Sequence, residues 1–249
     1  MPKRRILTKN RLLDAFPVGA LASLSPHLEQ IPMSPGDVLY ESGRQLEYVY
    51  FPVIGFVSLR KVLANGQVSE VAVVGDEGML GISIFLGDGP TFARAVVEGE
   101  GVAYRVNAQR FKEEFNREGP VQRLVLRYTQ TVITQMAQAA ACNQHHSIDQ
   151  HLCRLLLESL DRLPTNTLTM TQGQIAARLS VRRERISEAA GRLGRAGVIR
   201  TQHHGAITVL DRHKLEKVAC ECYTMAKLAF NRLFRDSPRG EQFRMTNQA

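Results

Sequence analysis

The spacing of hydrophobic and polar positions changes twice along this chain. Residues 9–30 have the pattern of short helices. Between residues 35 and 106, short apolar or alternating runs are separated by glycines about every 8–12 residues, which is typical of antiparallel strands in a sandwich or barrel. After Phe111 the apolar residues recur with the period of a helix. The pattern therefore predicts an α+β fold that begins with a double-stranded, jelly-roll-like β-roll.

One turn inside the β-region is predicted in detail. Asn65 and Gly66 separate the runs FVSLRKVL and VSEVAVV. An Asn-Gly pair between two such runs is a strong hairpin signal, because a type I′ turn needs positive φ at both central residues. We therefore expect a β-hairpin with a type I′ turn at this point.

A long helix is predicted next. Nothing interrupts the helical pattern from Pro120 to about Ser147, which gives roughly 28 residues and a length of about 42 Å. Its apolar stripe either lies on the chain's own β-domain or pairs with the same helix of a second copy. Persistence over about four heptads favours a dimerisation helix. The residues predicted to make the dimer contact are Val121, Leu124, Val125, Tyr128, Val132 and Met136.

The segment 169–210 has the pattern of a winged helix-turn-helix. Thr171 can cap a first short helix, Ser180-Val181 forms a tight turn, and a second helix runs from Arg182 to about Ala196. Two alternating runs, VIRTQ and AITVL, then form a β-hairpin wing around His203-His204-Gly205. The residues expected to face inward are Ile175, Ala176, Leu179, Val181, Ile186, Ala189, Ala190 and Leu193.

These elements predict four parts in chain order. They are a β-roll sensor domain with short leading helices (1–118), a dimerisation helix (119–147), a winged helix-turn-helix DNA-binding domain (148–230) and a flexible tail (231–249). The last helix of the DNA-binding domain is predicted over residues 212–230.

Composition and charge narrow the choice of partner. The 249 residues are 44% hydrophobic and 22% charged, and no apolar run approaches the ~20 residues that a membrane-spanning helix needs. No secretory signal pattern follows the basic N-terminus, and four cysteines do not make a disulfide framework, so we expect a cytoplasmic protein with no membrane partner. Residues 31–118 carry eight Lys/Arg against twelve Asp/Glu, whereas residues 119–249 carry nineteen against ten. The basic C-terminal half predicts contact with a polyanion, which charge alone does not identify.

The start of the second helix in the helix-turn-helix has the chemistry of a DNA contact. An α-helix fits the major groove with its first residues at the base edges, where arginine donates two hydrogen bonds to guanine and glutamate accepts one from cytosine. The alternative is a solvated helix face, which would account for the seven Arg and two Glu of residues 171–205. It does not account for the spacing of the two helices or for the wing. We therefore predict double-stranded DNA as the partner. The candidate contacts are Arg182, Arg183, Glu184, Arg185 and Ser187, with Arg192 restricted to the DNA backbone.

These features together resemble the Crp/Fnr family of bacterial transcription regulators over about residues 20–215. The basic block is similar to the family's C-terminal domain, and the order of roll, long helix and winged helix is also that of the family. The β-region matches the family's cyclic-nucleotide-binding-like roll at Pro35-Gly36, Leu39, Gly43, the Tyr48–Gly55 run, Gly66, Glu70 and the Gly78–Gly81 turn.

The resemblance implies a regulator that binds a near-palindromic operator as a homodimer, with RNA polymerase as a further partner. By position, Arg183 and Glu184 match the family's base-reading pair, and Thr171 and Gln172 match residues that approach the phosphate backbone. Glu188 stands where many members have a second base-reading arginine. A carboxylate there cannot contact guanine in the same way, so we expect an operator other than the family's best-known one.

The roll departs from the family at its ligand-binding positions. Members that bind cyclic nucleotides have a glutamate after the first glycine of a Gly-x-x-Gly turn, and an Arg-Ser pair for the phosphate. Met79 replaces the glutamate and Thr91-Phe92 replaces the pair, although a shift of two or three residues brings in Arg94. A buried phosphate without a cation is costly, so we expect an effector other than cAMP or cGMP, of unknown identity. The counterpart of the effector pocket comprises Gly78, Met79, Leu80, Gly81, Thr91 and Phe92.

We predict no metal and no cofactor. The Fnr branch has a cysteine cluster ahead of the roll, whereas the first cysteine here is Cys142, and a haem ligand near the roll is missing because only His27 precedes residue 145. Cys142 and His146 share a helix face, which a metal could use, but no fourth ligand stands at conventional spacing. We interpret them as a buried cysteine beside polar histidines at a hinge, and Cys220 and Cys222 as ordinary residues of the last helix.

Catalytic motifs are missing from the sequence. It has no G-x-S-x-G, Walker loop, Rossmann fingerprint or H-E-x-x-H, so we expect no enzyme. The alternative function is a signalling module that binds a nucleotide or another small ligand and acts on a partner protein. The winged helix favours the DNA-binding regulator, because a pure ligand-binding module has no need of one.

Overall fold

The computed structural model describes residues 9–87, 89–163, 165–202 and 205–235. Their contacts divide them into two compact units, the first within Met1–Leu59, Val73–Thr134 and Leu228–Ala249, and the second within Arg60–Ala72 and Gln135–Lys227. The predicted tip of the wing, His203-His204, and most of the predicted tail lie outside the described residues. The four predicted domain ranges stay predictions.

A sheet of antiparallel strands, which lies mostly in the first unit, confirms the predicted roll. β5 lies between β1 and β3, β4 follows β3 at the edge, and β2 also pairs with β5. The β1–β5 register runs from Glu29 opposite Arg105 to Met33 opposite Gly101. The strands are β1 (Glu29–Met33), β2 (Val38–Tyr40), β3 (Tyr48–Val62), β4 (Val68–Val74) and β5 (Arg94–Asn107).

Short helices close the roll and contribute aromatic side chains to its core. They are α1 (Arg11–Asp14), α2 (Val18–Leu24), a 3-10 turn (Ser25–His27), α3 (Ser83–Leu86) and α4 (Ala108–Phe115). Phe111 of α4 is fully buried, and its ring centroid lies 5.6 Å from that of Phe51 in β3 and 5.4 Å from that of Phe85 in α3. Because each ring belongs to a different element, this cluster ties the helices to the sheet.

The β3–β4 hairpin forms where it was predicted, but its turn type differs. Gly66 has a φ of 79°, whereas Asn65 is not among the described non-glycine residues with positive φ. The Gly66 amide donates to the Leu63 carbonyl (2.9 Å), and the Leu63 amide donates to the Gln67 carbonyl (2.8 Å). This is the pattern of a three-residue loop in which one left-handed glycine forms a bulge. The predicted type I′ turn is therefore wrong.

The long helix α5 (Pro120–His145) uses the predicted stripe for a different contact. Five of the six stripe residues are at most 8% exposed within the single chain, and Met136 is half-buried. The Tyr128 hydroxyl donates to the Met79 carbonyl of the same unit (2.8 Å). A second copy cannot contact side chains that are already covered. The choice of Val121, Leu124, Val125, Tyr128 and Val132 as the dimer contact is therefore wrong.

Another face of α5 exposes apolar side chains instead. Leu126 is 46% exposed and Ile133 is 49% exposed. Their spacing of i, i+7 corresponds to about two helical turns, so both lie on one side of the helix. An apolar stripe read from sequence shows that a helix face is covered, but not which surface covers it.

The second unit confirms the predicted winged helix-turn-helix. Its three-stranded sheet has the order β6, β8, β7, and its core includes Leu152, Leu156, Ile175, Ile186 and Leu193. The elements are α6 (Ile148–Leu160), β6 (Thr167–Thr169), α7 (Gln172–Arg178), α8 (Arg183–Arg195), β7 (Ile199–Thr201), β8 (Ala206–Val209), α9 (Arg212–Val218) and α10 (Glu221–Phe234), the last of which ends in the first unit.

The predicted single helix over 212–230 is in fact two helices. Ala219 has extended backbone angles (φ −60°, ψ 149°), which ends α9, and α10 begins two residues later at Glu221. α10 then continues to Phe234, beyond the predicted end at residue 230. Among the described helices, none has both the length and the apolar character needed to span a membrane.

Candidate nucleic-acid interface

The first helix of the motif, α7, begins at a reciprocal cap. The Thr171 hydroxyl accepts a hydrogen bond from the Gln174 amide (3.2 Å), and the Gln174 side chain accepts one from the Thr171 amide (2.7 Å). This capping box satisfies amide groups that a helix start leaves unpaired. It holds Thr171 exposed and Gln172 half-buried at the surface.

The tight turn and the second helix place a charged face in solvent. The Val181 amide donates to the Ala176 carbonyl (3.0 Å), and Ser180 has a φ of 55°. α8 starts at Arg183 with Arg182 as its N-cap, and its buried side is made of Ile186, Ala189, Ala190 and Leu193. Its opposite side is thereby exposed. The exposed residues include Arg182, Arg183, Glu184, Arg185, Ser187 and Glu188.

An open groove brings three of the predicted contacts together. Its volume is about 710 Å³, and Thr171, Gln172 and Arg183 line it on one side. On the other side lie wing residues that the sequence analysis did not select, among them Thr201 and Gln202. Alternation along the run VIRTQ does not select this pair, because consecutive strand residues point to opposite faces of the sheet.

Arg192 has a partner in its own unit. Its Nε and Nη2 atoms lie 2.9 and 2.6 Å from the two carboxylate oxygens of Asp149 in α6. This hydrogen bonding raises the pKa of Arg192. An exposed ion pair of this kind contributes little stability, so Arg192 can exchange Asp149 for phosphate, and its role as a DNA-backbone contact stays a prediction.

Arg178, unlike Arg192, is removed from the exposed surface. Its side chain is 1% exposed, and its Nε and Nη2 atoms lie 2.5 and 3.1 Å from the carboxylate oxygens of Glu70. The basic surface of the motif therefore consists of fewer arginines than the sequence count of seven. Those that the structure leaves exposed are Arg182, Arg183, Arg185, Arg192, Arg195 and Arg200, of which Arg192 is paired with Asp149.

Comparison with family models decides the relationship of the chain to known proteins. Residues 30–118 match the cyclic nucleotide-binding domain, and residues 150–218 match the Crp-like helix-turn-helix domain. On this one chain the cyclic nucleotide-binding domain precedes the helix-turn-helix domain, which is the order of the Crp/Fnr family. The chain belongs to the Crp/Fnr family.

Solved structures of other regulators share the fold of this Crp/Fnr chain. FixK2 from Bradyrhizobium japonicum superposes with a TM-score of 0.65 at 19% identity, covering 78% of this chain and 98% of that one. A CRP/FNR-family transcriptional regulator from Thermus thermophilus gives 0.61 at 19% identity, with coverages of 77% and 98%. The c-di-GMP responsive global regulator CLP of Xanthomonas campestris gives 0.61 at 12% identity, with coverages of 78% and 99%. Among curated protein sequences, none matches significantly.

The predicted effector pocket of this Crp/Fnr chain is nearly filled by its own side chains. The cavity lined by Met79, Leu80, Gly81, Thr91, Phe92 and Tyr128 has a volume of about 10 Å³. That is room for about one water, whereas a small-molecule site has roughly 300–1,000 Å³. Met79 is 1% exposed. Burial also raises the pKa of Tyr40, whose side chain lines the same cavity.

Tyr128 packs against the backbone of the Gly-x-x-Gly turn. A Cβ atom on Gly78 would lie 2.4 Å from the Tyr128 hydroxyl oxygen, so only glycine fits under this ring. The Tyr128 hydroxyl is also bonded to the Met79 carbonyl. The turn that would approach a nucleotide is therefore occupied by a side chain of α5.

The groups considered for a phosphate are engaged elsewhere. Thr91 is 4% exposed, and its hydroxyl donates to the Ala93 carbonyl (3.2 Å). The Nε atom of Arg94 lies 3.3 Å from a carboxylate oxygen of Glu41. A shift of the alignment to Arg94 therefore leads to an arginine that is already paired.

Proposed function

We propose that this chain is a sequence-specific transcription regulator that binds a near-palindromic DNA operator as a homodimer. It acts in the cytoplasm with RNA polymerase as a further partner and catalyses no reaction. The observation that supports this most strongly is the exposed first turn of α8, where Arg183 and Glu184 adjoin the groove lined by Thr171 and Gln172. This arrangement offers base-reading groups and phosphate-facing groups side by side.

The charges support a division of roles within that surface. Arg183, in the first turn, would donate a hydrogen bond from each of its two terminal nitrogens to one guanine. Glu184 would accept a hydrogen bond from one cytosine. Arg195 and Arg200, outside that turn, would attract phosphate without reading sequence. Glu188 adds a second carboxylate to the exposed face. A carboxylate cannot donate to guanine, so this residue disfavours a guanine as the base that it faces.

Selection of operator DNA by the full-length chain tests this function. We expect selection from random duplexes to yield two inverted half-sites whose centres are about 10–10.5 base pairs apart, because a two-fold dimer places its recognition helices one turn of DNA apart. Absence of any enriched sequence would favour the alternative of a signalling module. Enrichment of a single asymmetric site would contradict the homodimeric part of the proposal.

Operator binding is also expected to be independent of cyclic nucleotides. Isothermal titration with cAMP or cGMP should give no saturable heat at millimolar ligand, because Met79 and Tyr128 fill the site and Arg94 is paired with Glu41. Cyclic di-GMP is a useful third ligand, since the Xanthomonas regulator responds to it. Micromolar binding of cAMP or cGMP would show that the roll opens and that Arg94 exchanges Glu41 for phosphate.

A further inference from the structure

Four potential metal ligands from distant parts of the sequence meet in the second unit. Cys142 lies in the last turn of α5, and His146 directly follows the helix, its amide donating to the Cys142 carbonyl (3.0 Å). Cys220 lies in the break between α9 and α10, and Cys222 lies in the first turn of α10. The ligand atoms of these four residues all lie within 4.8 Å of one another.

The separations agree with a tetrahedral ion. Zn²⁺ binds sulfur at about 2.3 Å and nitrogen at about 2.0–2.1 Å, so tetrahedral geometry separates two sulfurs by roughly 3.8 Å and a sulfur from a nitrogen by roughly 3.6 Å. The Sγ atoms of Cys142 and Cys220 are 3.6 Å apart, and Cys222 Sγ is 3.5 Å from His146 Nδ1. The four cysteines are free thiols, so no disulfide accounts for this approach.

The surroundings of the cluster are those of a metal centre rather than of an apolar core. His146 Nε2 lies 3.2 Å from a carboxylate oxygen of Glu221, which orients the ring so that Nδ1 faces the sulfurs. The Gln138 side-chain amide donates to Cys222 Sγ (3.0 Å). A carboxylate behind the histidine and an amide on the sulfur are the outer contacts that metal ligands ordinarily have.

The burial of the four-residue cluster and the charges around it are also suitable for a metal ion. Cys142, Cys220 and Cys222 are at most 4% exposed and form a cluster separate from the core that contains Cys153. Three thiolates, one neutral imidazole and Zn²⁺ leave one net negative charge. The largely buried guanidinium of Arg154, which pairs with Glu158 (3.3 Å), also interacts electrostatically with Cys142 and Cys220 and partly offsets that charge.

We propose that Cys142, Cys220 and Cys222, through Sγ, and His146, through Nδ1, bind one Zn²⁺ ion. All four positions are filled by protein, so the site is structural and closed to substrate. The ion joins the last turns of α5 to the start of α10 and fixes the chain where α9 and α10 separate. This proposal differs from the expectation of no metal, which rested on the lack of a fourth ligand nearby in sequence, because two of the ligands come from the far side of the DNA-binding motif.

Metal analysis of the full-length chain, purified under reducing and anaerobic conditions, tests the proposal. We expect about one Zn²⁺ per chain, and Co²⁺ in its place should give the visible and sulfur-to-metal absorption of a tetrahedral thiolate site. Cys142→Ser and Cys222→Ser should lose the metal and the absorption. Cys153→Ser is the matched control, because it removes a buried thiol outside the cluster and should retain both.

A second variant keeps the test valid if the cysteine variants do not fold. Glu221→Gln alters an exposed side chain whose carboxylate lies beside the outer nitrogen of His146, so it should retain zinc with an affinity lowered about 10–100-fold. Wild-type protein that contains no zinc and gives no Co²⁺ absorption would overturn the proposal. Iron or copper in place of zinc, or equal metal loss in Cys153→Ser, would overturn it as well.

Discussion

Aspartate at both Leu126 and Ile133 is expected to convert the proposed dimer into monomers. These side chains are the exposed apolar positions on the face of α5 that the chain itself does not cover. A symmetric contact would bury both residues of each copy, so the double variant would place four carboxylates in one interface, which is costly. Affinity for a two-half-site operator should fall on the order of 10²–10⁴-fold, because bivalent binding is lost. Light scattering and competition binding measure the two effects.

A matched control separates dimerisation from general damage. Leu86 is 57% exposed on α3, so Leu86→Asp introduces the same charge at a comparable exposed leucine and should leave the dimer intact. Affinity of the Leu126→Asp/Ile133→Asp variant for a single half-site should be unchanged. A wild-type chain that is monomeric at micromolar concentration would remove the proposal, as would a double variant that remains a dimer.

The buried face of α5 gives the opposite expectation. Val125 and Val132 are at most 1% exposed, so aspartate there would place an unpaired charge inside the first unit. We expect such variants to unfold rather than to dissociate. Loss of dimer in Val125→Asp would therefore carry no information about the interface, although the sequence stripe includes that residue.

The parts of the molecule that the sequence predicts are those that depend on local pattern. Alternation and turn residues predict the antiparallel roll, and the spacing of Ile175, Leu179, Ile186 and Leu193 predicts the two helices of the DNA-binding motif. Each of these signals lies within a few residues of the element that it predicts. The exposed position of Arg183 follows in the same way, because the helix buries its other side.

The parts that the sequence does not predict depend on contacts between distant residues. The Tyr128 ring packs against Gly78, and Arg192 pairs with Asp149, although neither pair is related by a helix or strand period. The same holds for the cluster of Cys142 with Cys220. A period identifies the buried face of an element, but several surfaces can cover that face. The fold of the whole chain selects among them.

Arg183→Ala is expected to cost about 1–3 kcal/mol of specific operator binding, or roughly 5–150-fold in affinity. The reason is the loss of two hydrogen bonds to one guanine from the exposed first turn of α8. Binding to non-specific DNA should change less, because the five other exposed arginines of the motif still attract phosphate. Competition binding on single-base operator variants, at two salt concentrations, measures both effects. Discrimination should relax at one base pair of each half-site.

Two further variants decide whether Arg183 reads a base or only supplies charge. Arg195→Ala removes another exposed charge, from the last turn of the same helix. It should weaken binding to all DNA sequences almost equally and make the salt dependence of the affinity shallower. Glu184→Ala removes a negative charge, so non-specific affinity should rise while discrimination relaxes at a different base pair. Identical specificity profiles for Arg183→Ala and Arg195→Ala would mean that the first turn of α8 does not enter the groove as a reading surface.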